Sequence, residues 1–338
     1  MSAHDTSGRL DEAFERLHTR GPEFRGWLSN HAPMVAEALA AHGQAGAVHR
    51  WLDLYGDRLE EFPAPTEPVT DDNWPAALGD PRRAADWIAY FSRALAERPW
   101  RAVLAEWWPR LLPGLYAAAT HGVIRVGHAV RALEAEDNAP RRAELAQALG
   151  YWAARHLPVT GIQPLPGAAS AAQSLDLVPG IESPEGGYPA RLAAVRRLPL
   201  WAREVTDPDT AKERLSELVR AATHRYATHG HGDETMLVHA ATAPNAVLRT
   251  LDALPRELWV PSLHAAWTAS AAVTAMYAPD APADYTPPAR LTAEEVVERA
   301  LAHGDEHVIK LTDTALDVGD ERALAAAQRS IELSRPLV

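Results

Sequence analysis

Apolar residues recur at helical spacing along most of the chain. In residues 9–20, Leu10, Phe14 and Leu17 fall on one face. Residues 32–42 read Ala-Pro-Met-Val-Ala-Glu-Ala-Leu-Ala-Ala-His, with Pro33 in a first turn and Gly43 as the stop. Proline is tolerated in a first turn because the N–H it lacks has no partner there. The same spacing predicts helices over 46–60, 82–97, 100–118, 120–135, 140–156, 190–203, 208–228, 233–253, 255–277, 292–302, 305–317 and 320–334. Pro109 and Pro113 should kink or break the segment 100–118. Asp207-Pro208-Asp209 and Gly319-Asp320 read as helix boundaries. Strand-like alternation never exceeds four or five residues, and no fixed-period repeat supports a solenoid. The expected fold is all-α, a single-domain multi-helix bundle over residues 1–338.

Two stretches fall outside this pattern. Residues 61–75 carry four prolines (63, 65, 68 and 75) and several acids, and read as an exposed connection. Residues 157–189 are rich in Pro, Gly, Ala and Ser, with Asp176, Glu182 and Glu185 as their acids. A loop of that length is usually functional or disordered. Low charge favours an ordered loop packed on the body, where it could cover a pocket; a mobile surface linker is the alternative.

Composition narrows the function classes. The net charge is -12, which disfavours nucleic acid and anionic membranes as partners. No window approaches the roughly 20 uncharged apolar residues of a membrane span. The polar start Met1-Ser-Ala-His-Asp lacks the look of a signal peptide, so a cytoplasmic location is expected. Cysteine is absent, which removes disulfides, thiolate nucleophiles and sulfur ligands together. A metal site in this chain must use nitrogen and oxygen.

Histidine is plentiful, at 15 residues. His4, His18, His42, His229 and His231 sit in polar or terminal settings. His31, His121, His128, His239 and His307 sit in apolar helical ones. His121 and His128 are two turns apart on one helix face. His303 and His307 are an i,i+4 pair, with Lys310 three residues further on. A lone histidine on an apolar face is more often a hydrogen-bonded core residue than a ligand. Small neighbours such as Gly122, Gly127, Ala129 and Ala240 leave room beside an imidazole, or else signal close helix packing. Imidazole suits iron, zinc, copper and nickel, and helical bundles hold such ions between histidines of separate helices. The zinc-protease, di-iron, dinucleotide, P-loop and nucleophile-elbow signatures are all missing.

Four blocks together carry a family resemblance. They are Asn30-His31-Ala32-Pro33-Met34, then Trp107-x-Pro109-Arg110-Leu111 with His121-Gly122-Val123-Ile124-Arg125-x-x-His128-Ala129-x-Arg131. His239-Ala240-x-Thr242-Ala243-Pro244 and Asp305-x-His307-x-Ile309-Lys310-Leu311 follow. In order and spacing they resemble the questin oxidase-like family. The resemblance implies a helical fold and oxidative cleavage of anthraquinone-type and related polyketide rings, in Baeyer–Villiger or dioxygenase fashion. It also implies a non-haem iron held by histidines and by a lysine that has taken up carbon dioxide to become a carbamate.

Carried onto this chain, the resemblance makes His31, His121, His128, His239 and His307 candidate iron ligands, with Lys310 as the carbamate. An ordinary lysine has no acceptor for a cation, whereas its carbamate is an anionic oxygen ligand. His307 and Lys310, three apart, can face one ion; the plainer reading has Lys310 reaching to solvent. Six protein ligands would leave no open position, so one histidine lies outside the shell, His128 being first in doubt, or the lysine swings away. Arg125 and Arg131 could orient a phenolate or carboxylate, or be structural, and Asp305 and Glu306 could fix a histidine tautomer. Trp107, Trp108, Trp152 and Trp267 are candidate pocket walls. The expected partners are an aromatic polyketide and O2. NADPH enters only as an external reductant, since no nicotinamide motif is visible. Two other classes stay open: a zinc hydrolase or lyase on the same histidines, and a helical binding protein without chemistry.

Overall fold

Helices carry the chain in a computed structural model that describes residues 3–182, 185–287 and 290–337. The fold is all-α: among the described residues the only sheets are two two-stranded pairs. No helix among them is long and apolar enough to cross a membrane. Contacts divide the chain into two compact units, Met1–Pro158 with Asp252–Pro255, and Val159–Leu251 with Arg256–Val338.

In the first unit, helices Ala84–Glu97 and His121–Ala135 both pack on Ala139–Ala154. Glycine permits the close approach. A Cβ on Gly150 would stand 2.6 Å from Ile88 Cγ1, and one on Gly122 would stand 2.8 Å from Trp152 Cβ. Gly122 therefore serves helix packing. Trp74, Trp87, Tyr90, Phe91 and Trp107 meet edge-to-face or stacked at 5.0–5.9 Å between ring centres, a geometry that aromatic quadrupoles favour. Helix Ala32–Ala41 is buried along nearly its whole length, Glu37 included. Gly43 follows it at φ +77, the conformation expected of its stop. The connection 61–75 is tied down at several points: the Tyr90 hydroxyl donates to Asp71 at 2.7 Å, Arg93 donates to the Val69 carbonyl at 3.0 Å, and Asp86 holds Thr66 and Glu67. The Asp86 carboxylate accepts from the Thr66 N–H at 3.1 Å, the Thr66 hydroxyl at 2.6 Å and the Glu67 N–H at 3.1 Å.

The segment 100–118 is not one helix. Helix Trp100–Leu111 passes through Pro109 and ends in the 3-10 turn Leu112–Gly114, which holds Pro113. Proline cannot donate to the preceding turn, so the helix stops where a second one follows.

In the second unit, helix Pro208–His229 packs against His239–Thr250, Trp259–Tyr277, Glu306–Val318 and Glu321–Leu333. Its start is the expected one: the Asp207 carboxylate accepts from the Thr210 N–H at 2.8 Å, with Pro208 in the first turn. Gly319 (φ +73) and the Asp320 cap separate the last two helices. Helix His239–Thr250 contains Pro244, which cannot donate to the Ala240 carbonyl. The Ser270 hydroxyl of the neighbouring helix donates to that carbonyl instead, at 2.7 Å.

Two expectations need correction in this unit, and the ordered reading of the stretch 157–189 holds. Residues 190–203 are not helical throughout: helix Tyr188–Ala194 gives way to strand Arg197–Pro199, parallel to Gln163–Leu165. The residue before a proline is pushed out of the α region, and Leu198 precedes Pro199. Residues 233–238 are not helical, 234–238 forming a turn, and the helix starts only at His239. The stretch 157–189 is largely ordered, with helix Ala171–Asp176 held by an Ala171 N–H to Glu217 bond of 2.8 Å; residues 183 and 184 lie outside the described residues.

Candidate metal centre

His31 is the residue just before helix Ala32–Ala41, and its N–H donates to the Tyr55 hydroxyl at 3.2 Å. His121 opens helix His121–Ala135 after three consecutive left-handed residues, Ala118 (φ 46), Ala119 (φ 54) and Thr120 (φ 66). Left-handed backbone costs roughly 1–2 kcal/mol for each such residue. The bend places the Ala118 carbonyl 2.6 Å from His121 Nδ1. A carbonyl only accepts, so Nδ1 carries the proton and Nε2 is the unprotonated nitrogen. His121 Nε2 lies 2.8 Å from His31 Nε2, with the two rings at 89°. Imidazoles bound at about 2.0–2.1 Å and at right angles on one ion would bring their nitrogens to about 2.9 Å. The spacing fits a shared divalent cation as well as it fits a hydrogen bond from His31 Nε2–H to the His121 lone pair. Both rings are buried.

His128 and Arg131, from the same helix, converge on Glu37. His128 Nδ1 is 2.6 Å from Glu37 Oε2, and Arg131 Nε is 2.7 Å from Glu37 Oε1. Burial alone would raise the Glu37 carboxyl, but the Arg131 charge and the His128 and Arg131 hydrogen bonds bring it down to about 2. Arg125 is committed similarly to Glu144, donating through Nε at 2.6 Å and Nη2 at 2.8 Å with both side chains buried. Its Nη1 is buried without a hydrogen-bond partner among the described residues.

The second unit holds the other three candidates. His239 Nδ1 lies 3.1 Å from the Met236 carbonyl, which again puts the proton on Nδ1 and leaves Nε2 unprotonated. Burial, then the Lys310 charge, pushes the His239 imidazolium well below its usual range, so the ring stays neutral as a ligand must. The His239 and His307 rings stand 5.4 Å apart. Lys310, one turn beyond His307, has no exposed surface. It does not reach solvent. Burial lowers its ammonium to about 7, against the opposing charges of Glu306 and Asp305. A large neutral fraction near pH 7 is the amine form that can attack carbon dioxide. Asp305 caps its helix, its Oδ1 accepting from the His307 N–H at 2.9 Å and the Val308 N–H at 3.0 Å. It stands 4.0 Å from His307 Nδ1, beyond a hydrogen bond. One acceptor or ring nitrogen from each of Asp305, Glu306 and His307 falls within 4.8 Å of the others.

His303 and His307 do not share a helix. His303 ends Ala293–His303, Gly304 turns left-handed, and Glu306–Val318 begins beyond it. His303 Nε2 faces the Ser334 carbonyl at 3.2 Å. Trp107 and Trp108 are buried in aromatic clusters, Trp152 donates to the Gly114 carbonyl at 3.0 Å, and Trp267 donates to that of Pro199 at 2.8 Å. Glu37 and Glu144 were not singled out from sequence. Glu37 had a signal, as the one charged residue of an otherwise apolar helical run. Glu144 had none, because Arg141 and Arg142 beside it suggest an ordinary charged face.

No curated protein matches the sequence. A protein-family model described as "Questin oxidase-like" matches residues 28–314.

Proposed function

Since the chain belongs to the questin oxidase-like family and is an oxidase by that membership, we propose that it cleaves an aromatic polyketide ring with O2. The substrate class is an anthraquinone or a close relative, and the cofactor is one non-haem iron. The candidate ligands are His31, His121, His239, His307 and Lys310 as its carbamate, with His128 as a further imidazole. Iron, when bound, supplies the redox chemistry that couples O2 to ring oxidation. The protein residues do the rest. The Ala118 and Met236 carbonyls hold His121 and His239 in the tautomer that offers Nε2. Burial keeps His239 neutral and gives Lys310 the uncharged amine that carbamate formation needs. Arg125 Nη1 is the donor for a phenolate or quinone oxygen, while Glu144 fixes the guanidinium plane. Arg131 supports Glu37.

The observation that carries this reading is the His31–His121 pair, two buried Nε2 atoms 2.8 Å apart in a chain of this family. The test is elemental analysis of protein purified without chelator, for wild type, His31→Ala and Lys310→Ala. The expected result is about one iron per chain, lost in both variants, with O2 uptake on adding an anthraquinone. Zinc in its place would shift the assignment to hydrolase or lyase chemistry. A folded protein holding no metal would defeat it.

A further inference from the structure

We propose that Trp152, Trp108, Trp107 and Tyr90 form a relay that carries oxidising equivalents from the metal centre to the protein surface when no substrate is bound. The proposal rests on the iron reading above. The relay starts beside His121. A Cβ on Gly122, the next residue, would stand 2.8 Å from Trp152 Cβ, so Trp152 lies against the backbone that opens this helix. The Trp152 and Trp108 rings are 5.4 Å apart. Trp107 precedes Trp108 in helix Trp100–Leu111, and its ring is 5.3 Å from that of Tyr90. Trp107, Trp108 and Trp152 have no exposed surface, and Tyr90 is 8% exposed. Indole and phenol are the aromatic side chains that lose one electron most readily. A hole therefore passes along these rings and not through the aliphatic core around them.

Direction comes from where a proton can go. Trp107 Nε1 is buried and has no hydrogen-bond partner among the described residues, although a buried indole N–H usually finds one. The Arg110 guanidinium lies over the same ring at 4.7 Å. A hole on Trp107 keeps its positive charge beside another cation and cannot shed a proton, so it does not rest there. Trp152 donates to the Gly114 carbonyl at 3.0 Å, which is no base either. Tyr90 differs. Its hydroxyl donates to Asp71 Oδ1 at 2.7 Å, and Asp71 is exposed. Burial, then the Asp71 hydrogen bond and charge, push the phenol up to about 12, so it is protonated in the resting protein. One electron leaves Tyr90 and, by way of the three indoles, reduces a one-electron oxidant of the class that iron and O2 form. The Tyr90 O–H bond breaks, the proton joins the Asp71 carboxylate, and a phenoxyl radical remains, uncharged beside Arg93. A soluble one-electron reductant of the ascorbate class returns the electron, and the proton returns from Asp71.

The experiment loads wild type, Tyr90→Phe and Asp71→Asn with Fe2+, removes unbound metal, adds H2O2 without substrate and freezes the mixture for electron paramagnetic resonance. Ring-deuterated tyrosine identifies a tyrosyl signal by its narrowing. The expected result is a tyrosyl radical in wild type that is lost in Y90F and reduced in D71N, at equal iron content. Mass spectrometry should then find oxidation at Trp107, Trp108 or Trp152 in Y90F, and ascorbate should erase the radical in wild type. Equal tyrosyl signals in wild type and Y90F, or no radical in iron-loaded wild type, would overturn the proposal while leaving the iron site standing. If wild type binds no iron, the iron reading falls, and a metal-free measurement decides the relay. Laser flash photolysis ionises indoles directly, and the decay of tryptophanyl into tyrosyl absorbance should lose part of its amplitude in Y90F. Equal amplitudes would overturn the relay.

Discussion

At the scale of single residues, the first unit is organised by two buried carboxylates with different duties. Glu144 answers Arg125 and Glu37 answers Arg131 and His128. Removing one member of a buried pair leaves the other charge uncompensated, at a cost of about 3–5 kcal/mol. Glu144→Gln should therefore lower stability by roughly that amount, read as a fall in the urea midpoint. Burial alone would raise the Glu144 carboxyl, yet the Arg125 charge and hydrogen bonds hold it below its ordinary 4.5. A depressed folded value means stability present above 4.5 and lost as pH falls below it, and E144Q should lack that acid-side slope.

Lys310 behaves in the opposite sense. Its folded value near 7 lies below the ordinary 10.5, so the unfolded chain binds more protons between the two. Stability of metal-free protein in bicarbonate-free buffer should rise with pH from about 7 upward, by at most about 1.4 kcal/mol per pH unit from this group. Lys310→Met should abolish that component of the slope in urea titrations at pH 7, 8 and 9; equal slopes would contradict the burial of an uncharged amine. Of these residues, the histidines and Lys310 were legible as motif members. Their partners were not, because Glu37 and His128 are 91 positions apart and nothing local records the pairing.

At the scale of elements, the two features that place the candidate histidines both break regular geometry. Ala118, Ala119 and Thr120 keep left-handed backbone ahead of His121. Glycine adopts that conformation without penalty, so Ala119→Gly should stabilise the protein by about 1 kcal/mol, seen as a higher Tm. Helix His239–Thr250 keeps its proline because Ser270 satisfies the Ala240 carbonyl. Ser270→Ala should cost about 1–3 kcal/mol, and much less in a Pro244→Ala background, where the helix recovers its own N–H donor. An additive double-mutant cycle would show the hydroxyl to be irrelevant. Most helices were legible from spacing because each buries one face. The strand at Arg197–Pro199 was not: its apolar residues fit a helical period, and only Pro199 argued otherwise.

At the scale of the whole molecule, the all-α class follows from helical periodicity with scarcely any alternation. Periodicity reports which face of a helix is buried and not which neighbour buries it, so the division of contacts into two units was beyond its reach. The absence of cysteine restricts any metal to nitrogen and oxygen ligands. A metal that binds only the folded chain must stabilise it by mass action. Chelated protein should regain about 2.7 kcal/mol when free Fe2+ reaches 100 times its dissociation constant, with Tm rising in step with the logarithm of concentration. A Tm indifferent to Fe2+ would contradict the proposed centre.

The aromatic cluster of Trp74, Trp87, Tyr90, Phe91 and Trp107 has an optical consequence. Three of the 11 tryptophans, Trp201, Trp259 and Trp267, belong to the second unit. Indoles packed edge-to-face couple their electronic transitions, and those shielded from water emit to the blue. The near-ultraviolet circular dichroism of this protein is therefore expected to be dominated by its first unit. Followed through unfolding beside the far-ultraviolet helix signal, it would report whether the two units melt together or one after the other.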